Sequence, residues 1–172
     1  MTKDELKKIM IYATDANIEL YTPLLNEYMH EFDICGKLRE AAFLATIIHE
    51  SGSFKYTAEI ASGKAYEGRR DLGNINQGDG IKYKGRGLIQ ITGRRNYAQI
   101  SDAFDIDFIN NPKLLEHPRW ATRSACWWWD SRELNKLADV HDFRGVTLIV
   151  NGGLNGWEDR QIWYNRALKY LK

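Results

Sequence analysis

The run Leu44-Ala45-Thr46-Ile47-Ile48-His49-Glu50-Ser51-Gly52 decides how this chain is read, because an apolar helical stretch stops abruptly at a histidine, a carboxylate and a glycine. A carboxylate at a helix end, with glycine immediately downstream, sits where packing ends and a cleft begins. Working backward from Glu50, Leu38, Ala42, Phe43, Ala45 and Ile48 recur at helical spacing and predict the helix that delivers it. Working forward, Glu59 follows nine positions later, and after a polar passage comes Gly85-Arg86-Gly87-Leu88-Ile89-Gln90-Ile91-Thr92-Gly93. Nine of the fourteen glycines lie between Gly52 and Gly93. Where glycine is this dense, backbone shape and close approach matter more than side-chain packing. From Ser51 to Lys84 the helical period is lost, and so long a loop in a compact domain is expected to be functional or to fold as a small lobe. Short strands are expected at Lys82-Tyr83-Lys84 and Leu88-Ile89-Gln90.

The flanks read as helical scaffold. Thr2 and Glu5 form a capping-box pattern ahead of Leu6, Ile9 and Met10, predicting a helix over residues 3–13. Thr22-Pro23 reads as the cap and first turn of a second helix carrying Leu24, Leu25, Tyr28, Met29 and Phe32. Asn96-Tyr97 opens another, with Tyr97, Ile100 and Phe104 on one side. Asn111-Pro112 and His117-Pro118 mark breaks, and Pro118 starts a helix bearing Trp120, Ser124, Trp127 and Trp128. The triple tryptophan Trp127-Trp128-Trp129 reads as core ahead of a sugar-stacking platform. Phe143–Val150 fits helix or strand by pattern, ends at the Asn151-Gly152-Gly153 turn, and is followed by a last helix over 157–171.

A chain of 172 residues fits one domain, with 44% hydrophobic and 27% charged residues, both ordinary globular values. The net charge of +1 gives no electrostatic footprint for nucleic acid. Cys35 and Cys126 are too few and too far apart for a disulfide framework, and Cys126, within an apolar run, reads as a buried thiol. The start has no apolar signal region and no run approaches a membrane span, so a cytosolic protein without stable membrane insertion is expected.

Glu50, leaving an apolar helix, is expected to hold a proton through desolvation, whereas Glu59 in a polar loop is expected to stay ionised. That division suits glycoside hydrolysis, although 23 acidic residues supply many pairs and a helix-end salt bridge is the plainer reading of Glu50 taken alone. His49-Glu50 begins like a zinc motif, but the second histidine is missing because position 53 is Ser53, and no metal or cofactor is expected. Gly85-Arg86-Gly87 lacks the ending of a phosphate loop, and no glycine-flanked serine elbow is present.

Taken in order, His49-Glu50-Ser51-Gly52-Ser53-Phe54, Ala58-Glu59, Lys84 to Gly93 with Asn96-Tyr97, and Val150-Asn151-Gly152-Gly153 resemble the family 19 glycoside hydrolases. Within that family they look most like the short endolysins of bacteriophages and prophages. The resemblance spans roughly Phe43 to Leu168 and implies a mainly α, lysozyme-like fold of two lobes with a central cleft and little β. It implies Glu50 as general acid, Glu59 as general base and Thr92 as the hydroxyl that holds the attacking water. It further implies Gln90, Asn96, Tyr97 and Asn151 as substrate-binding positions and Arg160 as an arginine networked with the carboxylates. Arg95 stands where a tyrosine is often found, and Glu67 is a rival base. The implied function is inverting hydrolysis of the β-1,4 bonds of peptidoglycan, with chitin, or binding without catalysis, as alternatives. A single catalytic domain over 1–172, with no separate wall-binding domain, is expected to act as a monomer, reaching the wall from the host cytoplasm through a separately made membrane pore.

Overall fold

The computed structural model describes all residues 1–172. Helix α1 (Lys3–Ile9) begins at the predicted capping box: Glu5 N donates to Thr2 Oγ1 at 3.2 Å, and Thr2 N donates to the Glu5 carboxylate at 2.7 Å. It stops short of residue 13, because Met10 leaves helical geometry at φ −98° and ψ 68°. Helix α2 (Asp15–Glu31) corrects the expected start at Thr22-Pro23. Its cap is Thr14, whose Oγ1 accepts from Asn17 N at 3.1 Å, and Pro23 lies in the helix interior. Proline removes one helical donor there. Burial of Ile18, Tyr21, Leu25, Tyr28 and Met29 carries the helix past it, so tertiary packing overrides the local signal.

Helix α3 (Lys37–Ser51) is the centre of the molecule. Every residue from Ala41 to Ile48 is at most 1% exposed, which leaves this stretch no solvent-facing stripe. Downstream come α4 (Asp79–Lys82), α5 (Arg94–Phe104), α6 (Pro118–Asp130), α7 (Leu134–Asp139), α8 (Phe143–Asn151) and α9 (Trp157–Tyr170). The most extensive helix pairing is α3 on α9, followed by α2 on α6, and one continuous cluster of 37 buried residues runs through these helices. Phe143–Val150 resolves as helix, capped by Asp142, whose Oδ1 accepts from Gly145 N at 2.7 Å, and closed by Gly152 at φ +68°. Helix α7 had no counterpart in the sequence reading, since its six residues are too short for a period to register.

The passage 52–93 folds as short 3₁₀ turns (Lys64–Tyr66 and Arg70–Leu72) with α4, and the expected strands are absent. Lys82 closes α4, and Gln90 sits at φ +57°, outside strand geometry. Only isolated bridges remain, Ala58 to Arg86 and Arg86 to Ile91. What organises this region is Arg86, 5% exposed, which donates to Glu116 at 2.7 Å, to the Tyr97 hydroxyl at 2.9 Å and to the Lys82 carbonyl at 2.9 Å. A buried guanidinium with its donors satisfied pins the Gly85-Arg86-Gly87 loop as a ladder would pin a strand. A second pair, Asp79 with Arg94 at 2.6 Å, ties α4 to α5, and Asp79 also accepts from Ile75 N and Asn76 N.

Among the tryptophans, Trp129 is wholly buried, edge-on to Phe43 and donating to Asn135 at 2.9 Å. Trp127 and Trp128 are half-buried, Trp128 beneath the Arg132 guanidinium at 3.7 Å. Cys126 is fully buried, where desolvation pushes its thiol up, and Cys35 is exposed.

Candidate active site

Helix α3 ends at Gly52 in the left-handed conformation (φ +56°), so Glu50 lies in its last turn and is half-buried. The apolar surroundings expected for Glu50 are replaced there by a buried cation. Arg160 of α9, 1% exposed, donates through Nη2 to Glu50 Oε1, and its Nε and Nη1 find no protein acceptor. One residue back on both helices, His49 Nδ1 meets Asp159 Oδ2 at 2.6 Å, and Trp163 Nε1 donates to the same oxygen at 3.0 Å. Two polar pairs in register therefore cross the α3–α9 interface. Gly156 packs on the other side of His49, so closely that a Cβ there would stand 2.4 Å from the ring.

Glu59 is held by the glycine-rich passage. Its carboxylate accepts from the Tyr66 hydroxyl at 3.0 Å and from Gly85 N at 3.2 Å, while Glu59 N donates to Gly85 O at 2.9 Å. Lys84 Nζ donates to the Glu59 carbonyl at 2.7 Å. Burial, reinforced by the bond to Glu59, pushes the Tyr66 phenol above its ordinary value and keeps it a proton donor. Gly85 has a positional reason. A Cβ there would stand 2.8 Å from Gln90 Oε1, 3.3 Å from Thr92 Oγ1 and 3.4 Å from Glu59 Oε2, so three polar side chains converge over a residue that must lack one.

Thr92 donates to the Gln90 carbonyl at 2.9 Å, which leaves its oxygen free to accept. Asn96 Nδ2 donates to the Thr92 carbonyl at 2.7 Å and supports that turn from behind. A cleft of about 260 Å³ brings together Glu50, Tyr56, Ala58, Glu59, Ile60 and Gln90. Tyr97 is not on its surface: it is fully buried, and its hydroxyl donates to Lys84 O at 2.8 Å, bracing the same loop. Asn151, exposed at the end of α8, folds back on its own turn toward Gly153 O at 3.3 Å. Glu67 accepts from Gly78 N at 2.6 Å and Gly80 N at 2.8 Å, which staples its loop. None of the three tryptophans lines the cleft. A larger hollow of about 590 Å³, around Lys82, Asn110, Lys113 and His117, contains neither glutamate.

Sequence reasoning missed Tyr56, Tyr66, Asp159 and the part played by Gly85. Tyr66 and Tyr56 sit in a passage without period, where side-chain direction is unreadable, and Asp159 is separated from His49 by more than a hundred residues.

Two carboxylates share one cleft, one beside a guanidinium and one beside a hydroxyl with a free lone pair, and these are the residue types that acid-base cleavage of a glycosidic bond calls for. Residues 32–146 match the family 19 glycoside hydrolase model, described as chitinase class I. The chain belongs to glycoside hydrolase family 19. A Haemophilus influenzae protein described as a glycosyl hydrolase family 19 domain-containing protein is 34% identical over 163 residues, covering 77% of this chain and 79% of that one. Endochitinase 1 of Theobroma cacao is 31% identical over 173 residues; the match covers 78% of this chain but about half (54%) of the plant protein. Chitinase C from Streptomyces griseus shares the fold, with a TM-score of 0.79 at 21% identity over 98% of this chain and 75% of that one. The family 19 fold is thus the mainly helical, lysozyme-like one expected, and the chain is placed among glycosidases that act on polysaccharide.

Proposed function

We propose that this family 19 member is an endolysin-type hydrolase of the β-1,4 bonds in peptidoglycan glycan strands, working by inversion. The observation that supports it is the meeting of Glu50 and Glu59 on one cleft, with Thr92 and Gln90 gathered beside Glu59 over Gly85. Arg160 occupies Glu50 Oε1, which leaves Oε2 as the oxygen that carries a proton to the leaving glycosidic oxygen. On the other side a water donates one hydrogen to Glu59 and the other to Thr92 Oγ1. One of its two lone pairs is then turned toward the anomeric carbon, and Glu59 takes the proton as the new C–O bond forms. Tyr66 and Gly85 N fix the orientation of Glu59 throughout, so little reorganisation is needed during the reaction.

Peptidoglycan as the polymer is supported by the likeness of the motif set, and of the nine-residue spacing from Glu50 to Glu59, to short phage endolysins. In that role the enzyme accumulates in the host cytoplasm and meets the wall through a separate pore. Chitin is the second reading, favoured by the names of the cacao and Streptomyces relatives. The deciding experiment is reducing-end release from purified peptidoglycan and from chitin by the wild type, Glu50→Gln and Glu59→Gln. Release from the wall, lost in both folded variants, is the expected result. Cleavage of chitin alone rejects the endolysin reading while keeping the mechanism, and an active Glu59→Gln rejects the assigned base.

A further inference from the structure

Beside the two glutamates, the cleft wall carries one exposed aromatic ring, Tyr56, at 36% exposure. The local backbone turns it outward at some conformational cost. Gly52, Ser53 and Phe54 take successive positive φ values of +56°, +60° and +66°, two of them in residues that disfavour that region. This coil buries Phe54 against Tyr21, with ring centroids 4.4 Å apart, and leaves the next two residues, Lys55 and Tyr56, facing solvent. The Tyr56 ring rests on Gly52, where a Cβ would stand 3.2 Å from its edge, and Tyr56 N is anchored to Ser51 O at 2.9 Å. The edge of the ring is thus seated on backbone. Lys55 Nζ lies over one face of the ring, 5.1 Å from its centroid, exposed and without a carboxylate partner, which leaves the other face for a sugar.

We propose that Tyr56 and Lys55 together read the sugar unit next to the scissile bond: the ring stacks on the apolar face of the pyranose, and the ammonium pairs with a carboxylate of the peptide that this sugar carries. The inference deepens the peptidoglycan reading and rests on it for the Lys55 half, whereas the Tyr56 half holds for any β-1,4-linked N-acetylhexosamine polymer. Ring stacking needs only the aromatic face, so Tyr56→Phe is the conservative replacement. Exposed charge pairing is weak and screened by salt.

The test measures kcat and KM on soluble peptide-bearing glycan strands and on an N-acetylglucosamine hexamer. Sedimentation with purified wall sacculi is measured alongside. Tyr56→Ala is expected to raise KM about tenfold on both substrates with little change in kcat, and Tyr56→Phe to restore most of that loss. Lys55→Ala is expected to lower the strand-to-hexamer ratio of kcat/KM by about fivefold, an effect that fades in high salt. An unchanged KM in Tyr56→Ala overturns the stacking role, and an unchanged ratio in Lys55→Ala overturns the charge-reading role. If the wild type cuts only the hexamer, the peptidoglycan reading and the Lys55 half fall together, and KM on the hexamer still decides Tyr56. If it cuts neither, undiminished sacculus binding by Tyr56→Ala overturns the proposal.

Discussion

Replacing Glu67 with glutamine separates a loop staple from a catalytic base. Glu67 accepts from Gly78 N at 2.6 Å and Gly80 N at 2.8 Å, one donor on each carboxylate oxygen. Glutamine keeps one acceptor and turns an NH₂ against the other N–H. A bond to a charged acceptor is worth roughly 1.5–3 kcal/mol, and because Glu67 is exposed the expected loss is discounted to about 1–2 kcal/mol. For a domain of this size that corresponds to a fall in Tm of about 3–6 °C. The loop does not relax freely to compensate, since a Cβ at Gly80 would already stand 2.6 Å from Glu67 N. Melting followed by circular dichroism gives the Tm, and reducing-end release well below the transition gives the activity of the folded enzyme. The expected outcome is a lower Tm with most of kcat kept, the opposite of Glu59→Gln. A Glu67→Gln protein with unchanged Tm and no turnover would refute the reasoning and make Glu67 the base.

Three further outcomes follow from the same geometry. Thr92→Val removes the water's second acceptor without changing size, so kcat is expected to fall about 10- to 100-fold, or roughly 1.4–2.8 kcal/mol, at nearly constant KM; an unaltered kcat would remove Thr92 from the reaction. Gly156→Ala places a Cβ 2.4 Å from His49 at a φ of +71°, so the ring must shift off Asp159 beside the Glu50–Arg160 pair. Its kcat is expected to drop about tenfold, measured on protein shown folded by its melt, and full activity would mean that His49 and Glu50 are uncoupled. Asp79, 2% exposed, has its carboxyl held below the ordinary 3.8 chiefly by the Arg94 guanidinium, with burial opposing. Its folded value is the lower one, so its stabilisation is present above about pH 4 and lost as pH falls through the folded value. Asp79→Asn should therefore lower Tm most at neutral pH, the gap from wild type closing as pH falls through the lowered folded value; a gap independent of pH would deny the pair its charge.

The scaffold was legible where burial and period agree. Ala41 to Ile48 are buried in the structure and apolar in the sequence, so the helix that carries Glu50 could be placed to within a residue or two at its end. The Thr2-Glu5 cap was legible for the same local reason. Pro23 was misread, because a proline in a first turn is locally favourable and only packing on α6 explains a helix running through it. The strands expected near Lys82 and Leu88 failed likewise: Arg86, buried through contacts with Glu116 and Tyr97, replaces a ladder with side-chain bonds that no periodicity announces.

By itself the sequence determined the helical class, the ends of the main site-bearing elements, and, through its ordered motifs, the family and the two glutamates. Those features depend on residues close together in the chain, where spacing and side-chain type carry the signal. Only the tertiary structure decided that Glu50 lacks the apolar surroundings expected of it, with the Arg160 that the resemblance implied as its direct partner, that Tyr97 and Glu67 brace loops, and that Tyr56 lines the cleft. Each of these rests on contacts across α3 and α9 or within a glycine-rich loop. There the direction of a side chain is set by the packing of distant segments and by left-handed backbone, neither of which a one-dimensional pattern records.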